Sequence, residues 1–325
     1  MTALPSAFDR YVDQARQGRT ALWRLMLGVL LIVAVVLLVG TGIVMGVLYP
    51  LWSHADTESA AMAPLGVAAM LAIFGGIWIG VWLALRLLQR RPLASVLGAE
   101  QRLSRRDFAC AVAAALICVV VSAVLLPFGP APERSALPVV TWLLWLPLLS
   151  LLVLVQTSAE ELLFRGYLMQ GLAARFRSPM VWALVPVALF TALHWSGQPH
   201  WWMNAAQLAM IGKFALLATL LVWFTGNLGA SIALHFVNNL FALLVVSHLH
   251  ELGDAALFSA RPFYLRADWT AGQVVPVVLM DLATDGLLLL LLLHRRSPLC
   301  VRRQPLAAAE SVATAAPVAA MPSTK

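Results

Sequence analysis

The feature that most constrains this chain is a series of long apolar runs, each close to the length of a membrane-spanning helix. A helix that crosses the hydrocarbon core of a bilayer needs about 20 apolar residues. Eight runs approach or exceed that length, at residues 22–48, 62–88, 108–128, 138–173, 180–197, 206–225, 230–247 and 273–293. The sequence therefore predicts an all-α, polytopic bundle of about eight transmembrane helices.

The overall composition is also that of a membrane protein. Of the 325 residues, 61% are hydrophobic and 11% are charged, whereas about 25% of the residues in a soluble domain are charged. The net charge of +7 does not indicate nucleic acid, because the basic residues lie in short clusters between apolar runs. We therefore predict no nucleic-acid partner. Cys110, Cys118 and Cys300 have no CxxC spacing, so neither disulfides nor a thiolate metal site is indicated.

The arginines predict the orientation of the bundle. They are concentrated before the first run, between the second and third, between the fourth and fifth, and after the eighth. The positive-inside rule assigns such loops to the cytoplasm, so both termini are expected there, with residues 49–61 and 248–272 on the opposite side. The basic segment 90–106 is expected to be a short amphipathic helix at the cytoplasmic surface. The predicted location is the cytoplasmic membrane.

The two ends are expected to stay outside the bilayer. Residues 1–21 form a polar cytoplasmic segment, and the apolar run after them is too long for the hydrophobic region of a signal peptide, so no cleavage is expected. Residues 304–325 are rich in Ala, Pro, Ser and Thr, and we expect a disordered cytoplasmic tail.

The fourth apolar run contains the most unusual residues, in the stretch SAEELLFRGY at 158–167. Charged side chains at membrane depth cost roughly 2.5 to 3.5 kcal/mol each on insertion scales, so three within six residues require a reason. On a helix, Glu161 and Arg165 are four residues apart and share a face, whereas Glu160 lies about 100° round the axis. We predict that Glu161 is paired with Arg165 and that Glu160 is available for chemistry. The alternative is a buried ion-pair cluster that only holds helices together.

His194 ends the fifth run, one helical turn after Phe190. Glu160 lies 15 residues before Arg175, and His194 lies 17 residues after Arg177. At 1.5 Å per residue, both side chains are roughly 22 to 26 Å from the same cytoplasmic turn. Antiparallel neighbouring helices would therefore place Glu160 and His194 side by side, although a lone His at such a position is more often an interfacial residue.

His235 and Asn239 are four residues apart in the seventh run and project from one helical face. Imidazole is a metal ligand or general base, and a carboxamide can donate to a developing oxyanion. The alternative is an interhelical hydrogen bond. His235 follows closely after the turn GNLG at 226–229, so it can meet Glu160 only if that turn is re-entrant and buried in protein.

Three further charged residues, Lys213, Asp281 and Asp285, lie within apolar runs. We expect structural roles for them and assign them no chemistry.

The order Glu160-Glu161-x-x-x-Arg165, Phe190-x-x-x-His194 and His235-x-x-x-Asn239 resembles the CPBP family of intramembrane proteases. That family includes the type II CAAX prenyl endopeptidases and bacterial proteins of the Abi group, which process bacteriocins or confer immunity to them. The resemblance covers about residues 138–247. It implies a catalytic core formed by spans four to seven, preceded by three spans within 22–128 and followed by the span at 273–293.

The resemblance also implies roles for the six residues. Glu160 and His194 would activate the water that attacks a peptide carbonyl, His235 and Asn239 would hold the oxyanion or complete a metal site, and Glu161 and Arg165 would be the orienting pair. Glu160, His194 and His235 are candidate ligands for zinc or another divalent metal. The family is often labelled metal-dependent, a glutamate mechanism without metal is also argued for it, and this chain has no HExxH motif.

The sequence thus predicts an intramembrane endopeptidase that hydrolyses a peptide bond of a membrane-associated or prenylated protein or peptide. Glu160, His194, His235 and Asn239 are expected to converge on one water-filled cavity. The alternatives are a proton- or cation-coupled transporter and an immunity or scaffold protein that keeps the fold without catalysis. A transporter is expected to have paired halves with interrupted helices, and no such repeat relates residues 1–150 to 151–300.

Overall fold

The structure is a computed structural model that describes residues 6–50, 63–125, 132–197, 201–247, 255–260 and 271–301. Across these ranges the chain is helical with almost no sheet, which confirms the predicted all-α class. The predicted disordered tail, residues 304–325, lies outside the described residues, as do most residues of the two predicted non-cytoplasmic loops.

The helices are numbered in chain order. They are α1 (Ala7–Arg16), α2 (Leu22–Ile43), α3 (Ala63–Ala72), α4 (Gly75–Leu83), α5 (Arg105–Leu125), α6 (Val139–Glu161), α7 (Gln170–Ala173), α8 (Pro179–Trp182), α9 (Leu184–Ala192), α10 (Trp201–Thr225), α11 (Gly229–Leu240) and α12 (Ala271–Leu293). Four π-helical segments, Val44–Leu48, Ala84–Gln89, Leu162–Met169 and Phe241–Val245, continue α2, α4, α6 and α11. A 3₁₀ turn covers Leu93–Val96.

The described residues also include three two-residue strands, β1 (Glu133–Arg134), β2 (Val246–Ser247) and β3 (Phe258–Ser259). Strand β3 pairs antiparallel with β1 and parallel with β2. This small sheet ties the end of the α11 segment to the approach to α6.

Five helical stretches in the described part of the chain are long and apolar enough to cross a membrane. They are Leu22–Leu48, Pro64–Gln89, Arg105–Val124, Val139–Ala173 and Trp201–Thr225. The predicted spans 180–197 and 230–247 correspond to shorter apolar helices, Pro179–Ala192 and Gly229–Val245, and the predicted span 273–293 lies within α12. The chain is therefore a multi-pass membrane protein, and the count of eight spans stays a prediction.

The stretch Val139–Ala173, which we call the glutamate helix, lies at the centre of the packing. It contacts α3, α4, α9 and α11. Its first half is largely exposed and apolar, for example at Leu144 and Leu151, whereas nearly every residue from Gln156 to Leu172 is buried. The charged stretch is thus enclosed by protein, as the cost of charge in lipid requires.

The N-terminal segment contains a helix that the sequence analysis did not predict. Ser6 and Asp9 form a reciprocal capping box at the start of α1, which satisfies two backbone donors at its first turn. Phe8, Tyr11, Val12 and Ala15 then recur at helical spacing and are all buried. Because this face packs on α7, α10 and the 3₁₀ turn, α1 belongs to the folded core.

The predicted amphipathic helix across 90–106 is wrong. Only the 3₁₀ turn Leu93–Val96 is helical in the first half of that segment. The Leu228 N–H donates to the Leu97 carbonyl over 3.0 Å, and the Ala99 N–H donates to the Gly226 carbonyl over 2.9 Å. In a helix, the Leu97 carbonyl and the Ala99 N–H would bond to groups of the same segment. Here they bond to the turn at 226–229, so the helix does not form.

That pairing also encloses the turn at 226–229. The Asn227 side chain accepts from the Ser104 and Gly229 N–H groups and donates to the Arg102 carbonyl. Gly226 has a φ of +60°, and a Cβ there would lie 2.3 Å from the Ala7 carbonyl oxygen, so only glycine fits. The turn is therefore buried in protein, as the sequence analysis required.

One arginine of the same segment is not the exposed topological charge that the sequence analysis assumed. Arg91 is buried, and its guanidinium donates to Gln89, Ser95 and Gln170. Burial lowers the pKa of Arg91 to about 10, which still leaves it protonated at neutral pH. Arg91 thus connects the loop after α4 to the end of the glutamate helix.

Candidate active site

The paired glutamate is Glu161. Its Oε1 lies 2.8 Å from Nη1 of Arg165, and the two side chains are 0% and 1% exposed. The second arginine nitrogen, Nη2, donates to the Ala215 carbonyl of α10 over 2.9 Å. The predicted Glu161–Arg165 pair is confirmed, and the same arginine fixes α10 against the glutamate helix.

His235 lies between the two glutamates. Its Nδ1 is 3.0 Å from Glu161 Oε1, and its Nε2 is 3.4 Å from Glu160 Oε2. Both contacts join α11 to the glutamate helix, and His235 is buried. The buried turn at 226–229 makes this approach feasible, because it lets α11 begin inside the protein.

The contacts of His235 fix its tautomer. Glu161 is ion-paired with Arg165 and accepts hydrogen bonds as a carboxylate, so Nδ1 is the nitrogen that donates to it. In the neutral imidazole, Nε2 is then an acceptor that faces Glu160. Glu160 Oε2 and His235 Nε2 are then two acceptors 3.4 Å apart. A proton shared between them, or a molecule such as water that donates to both, stabilises this arrangement.

Glu160 is the open member of the pair. Within the described residues its buried Oε2 atom has no hydrogen-bond partner, and His235 is its neighbouring titratable group at 3.4 Å. Buried carboxylates are normally satisfied, and an unsatisfied one requires a functional or solvent explanation. Glu161 also has one oxygen, Oε2, without a hydrogen-bond partner among the described residues. The two glutamates differ because Glu161 Oε1 is ion-paired with Arg165, which matches the predicted division into a paired and an available carboxylate.

Asn239 lies one turn beyond His235 and faces a residue that the sequence analysis missed. Its Nδ2 donates to Gln156 Oε1 over 3.0 Å, and its Oδ1 accepts from Asn238 Nδ2 over 3.1 Å. Gln156 is buried on the glutamate helix, four residues before Glu160. That spacing was the available signal, because it places Gln156 and Glu160 on one helical face.

His194 does not contact Glu160 directly among the described residues. Its Nδ1 lies 2.7 Å from the Phe190 carbonyl and therefore donates to it, which leaves Nε2 as an acceptor in the neutral ring. Its ring lies 4.6 Å from the Phe190 ring, which in turn lies 6.0 Å from the His235 ring. Phe190 therefore neighbours both His194 and His235. The predicted side-by-side contact of His194 with Glu160 is not found among the described residues.

Aromatic rings surround the charged groups. Phe190 contacts Phe164 edge-on at 5.0 Å and lies 5.0 Å from the Arg165 guanidinium, while Phe214 contacts His235 at 5.0 Å. Such rings exclude water on their sides of the site and strengthen the electrostatic interactions there. No sequence pattern points to Phe214, because aromatic residues are common in apolar spans.

The helix changes form immediately after the two glutamates. Leu162–Met169 is π-helical, a form that is frequently found at functional sites. The Tyr11 hydroxyl lies 3.2 Å from the Arg165 carbonyl and 2.9 Å from the Val96 carbonyl, so its hydrogen is shared between them. Burial raises the pKa of Tyr11, which keeps this hydroxyl a donor. Helix α1 thus supports the backbone of the site.

Two of the three predicted metal ligands lie close together. Glu160 Oε2 and His235 Nε2 would supply two donors, but His194 is not grouped with them. No cluster of three His, Cys, Asp or Glu side chains able to hold a metal occurs among the described residues. The donor set in this arrangement therefore falls short of the three protein ligands typical of a catalytic zinc site.

The other intramembrane charges form a separate cluster. Lys213 Nζ contacts a carboxylate oxygen of Asp281 and lies 2.6 Å from Asp285 Oδ2. Lys213 immediately precedes Phe214 and Ala215, which both touch the site. The expectation of structural pairing agrees with these contacts, which tie α12 to α10.

Comparisons with known proteins match the part of the chain that contains these residues. Residues 140–241 match the family model described as type II CAAX prenyl endopeptidase, Rce1-like, and that range contains all six predicted site residues. The chain is also 26% identical over 258 residues to the uncharacterized protein YyaK of Bacillus subtilis (strain 168), covering 75% of this chain and 85% of that protein. No solved structure matches the chain.

Proposed function

We propose that the protein is an intramembrane endopeptidase, because residues 140–241 match the family model described as type II CAAX prenyl endopeptidase, Rce1-like. The observation that carries the proposal is the position of Glu160, whose free Oε2 lies 3.4 Å from His235 Nε2 inside the matched region. A carboxylate and an imidazole at this separation can share and transfer a proton.

The proposed reaction begins with a water molecule between Glu160 and the substrate carbonyl. Glu160 accepts one proton from the water, and the water oxygen attacks the carbonyl carbon. The carbonyl π electrons move to oxygen, and the Asn239 carboxamide donates to the resulting oxyanion. The proton on Glu160 then passes to the amide nitrogen, the C–N bond breaks, and the products are a carboxylic acid and an amine.

The remaining residues hold these groups in place. Glu161 accepts from His235 Nδ1 and keeps Nε2 directed at Glu160, while Arg165 holds Glu161. After Glu160 has taken the water proton, His235 Nε2 stabilises the protonated carboxyl by accepting a hydrogen bond from it. We assign His194 Nε2 to the same reaction as a hydrogen-bond acceptor for the second hydrogen of the water, because its Nδ1 hydrogen is committed to Phe190. That hydrogen stays on the water oxygen and becomes the hydrogen of the carboxylic acid product.

A metal is a secondary proposal. Glu160 and His235 would be two of its ligands, and it would supply Lewis-acid polarisation of the water or carbonyl. Since His194 is not grouped with them, no step above passes through a metal. Metal analysis of the purified protein, with activity measured before and after chelation, distinguishes the two schemes.

The proposed substrate is a membrane-associated peptide or protein. The match to a family described as CAAX prenyl endopeptidases supports a prenylated chain as the substrate. The proposed location is the cytoplasmic membrane with both termini in the cytoplasm, which the arginine distribution supports.

The test is a cleavage assay with the full chain in lipid nanodiscs. A farnesylated CAAX peptide and its unprenylated twin are incubated with the protein, and mass spectrometry detects the two fragments. We expect cleavage of the farnesylated peptide, with the twin cleaved more slowly. Absence of cleavage together with proton or cation flux in proteoliposomes would replace this proposal with the transporter alternative.

A further inference from the structure

Three arginines from two segments meet where α2 begins. Arg19 precedes α2, Arg24 lies in its first turn, and Arg90 follows the π-helical end of α4. The Arg19 N–H donates to the Gln89 carbonyl over 2.8 Å, and Arg24 Nη1 donates to the Leu88 carbonyl over 3.0 Å. These backbone contacts hold the two segments, and hence their positive charges, together.

None of the three arginines forms an ion pair within the described residues. This distinguishes them from Arg102, which pairs with Glu100 at 2.9 Å on the same predicted side of the membrane. Arg19 and Arg90 are exposed. The nearby charge of Arg90 is the main cause that lowers the pKa of Arg19, followed by slight desolvation and the charge of Arg24. The three positive charges therefore repel one another, with no acidic side chain paired to them in the described part of the chain.

An exposed apolar surface begins directly beside these charges. The Arg24 guanidinium lies 4.3 Å from the centre of the Trp23 ring, which is 58% exposed. Leu87, three residues before Arg90, is 60% exposed. Both apolar residues lie at the ends of stretches long and apolar enough to span the membrane. A ligand that bridges the charges and this surface must carry an anionic group on a hydrocarbon body.

We propose that Arg19, Arg24 and Arg90 form a binding site for the phosphate of an anionic phospholipid. The acyl chains of this lipid would lie along Trp23 and Leu87. A soluble anion would pair with the arginines but would make no contact with the adjoining apolar surface. A phospholipid contacts both, so we expect it to bind more tightly. The site lies outside the proposed catalytic residues and does not depend on the proposed function.

Lipid bound at these arginines would stabilise the start of α2, which packs against the glutamate helix. The Tyr167 hydroxyl donates to the Leu25 carbonyl over 3.3 Å, one residue after Arg24. A Cβ at Gly28 would lie 1.8 Å from the same hydroxyl, so the two helices approach closely here. Neutralising the arginines therefore stabilises the start of α2 beside the glutamate helix.

The test is a titration of the detergent-solubilised full chain with phosphatidylglycerol, followed by native mass spectrometry. Each basic residue near an anionic lipid surface contributes roughly a fivefold change in affinity, so R19Q/R90Q is expected to weaken binding by roughly 25-fold. The charge-retaining R19K/R90K is expected to bind like the wild type. R105Q/R177Q removes two exposed arginines elsewhere on the same predicted side and is the matched control, with binding expected to be unchanged.

Two further measurements distinguish an anionic phospholipid from a soluble anion as the ligand. Phosphatidylcholine is expected to bind weakly to every variant, and glycerophosphoglycerol, which has the headgroup without the chains, is expected not to compete. Competition by glycerophosphoglycerol would replace the lipid site with a soluble-anion site. Equal losses in R19Q/R90Q and R105Q/R177Q, or no loss in either, would overturn the proposal.

Discussion

At the scale of single residues, the site depends on two adjacent glutamates with different surroundings. Within the described residues, Glu161 Oε1 contacts both Arg165 and His235 Nδ1, whereas Glu160 Oε2 faces His235 Nε2. The helical spacing of four residues predicts the first pair, since the side chains share a face. The contact of His235 with both glutamates depends on where α11 enters the fold, which the sequence alone does not determine.

We predict that E161Q lowers stability strongly. The substitution leaves the Arg165 charge buried without a counter-ion, and breaking a buried pair in this way costs about 3 to 5 kcal/mol. Thermal unfolding in nanodiscs, followed by fluorescence, measures the effect. E133Q changes an exposed glutamate and is the matched control. An E161Q protein that unfolds at the same temperature as E133Q would show that the pair does not hold the core.

Gln156 is predicted to act through Asn239. Removing its acceptor oxygen with Q156A frees the Asn239 carboxamide to rotate, so kcat is expected to fall about tenfold with little change in KM, less than the 10² to 10³ typical of losing an oxyanion donor. A double-mutant cycle isolates the coupling. In the N239A background, Q156A is expected to have no further effect. Independent, additive losses would contradict this role.

At the scale of elements, the buried half of the glutamate helix is supported by a helix from the N-terminus. Tyr11 contributes its hydroxyl to the Arg165 and Val96 carbonyls, and its own carbonyl accepts from Gln170 over 2.8 Å. The sequence contains the capping box and the apolar spacing of α1, but neither pattern tells where the helix packs. Such tertiary contacts follow only from the assembled bundle.

We predict that Y11F loosens the π-helical segment. Loss of the hydroxyl leaves buried carbonyl groups without this donor, at a cost of about 1 to 3 kcal/mol. Hydrogen exchange of backbone amides in residues 160–170 is expected to accelerate in Y11F. Y49F removes the hydroxyl of a tyrosine that is 62% exposed and is expected to leave this exchange unchanged. Equal exchange in the two variants would show that Tyr11 does not support the segment.

At the scale of the whole molecule, the sequence predicts the all-α class better than it predicts which loops and side chains are buried between the helices. Long apolar runs specify helices, and the residues at i and i+4 specify which side chains share a face. The prediction failed at 90–106, where a basic, leucine-containing segment pairs with the 226–229 turn. It also missed the burial of Arg91, since Gln170, which accepts from its guanidinium and lies beside it in the fold, is distant in sequence.

The predicted orientation is tested by reporter fusions at Glu58 and Asp254, two positions outside the described residues. Both reporters are expected to read as non-cytoplasmic, because the connections that contain them carry few arginines. A fusion after Arg177, in an arginine-bearing connection, is the matched control and is expected to read as cytoplasmic. The opposite readings would invert the assigned topology.

The central claim is that Glu160 activates the water for peptide hydrolysis, and the most direct measurement is kcat of E160Q for a cleaved membrane-associated peptide. We expect a loss of at least about 10²-fold, because the amide cannot accept the water proton, while the unfolding temperature stays close to that of the E133Q control. A folded E160Q protein that cleaves the peptide at the rate of the control would contradict the account.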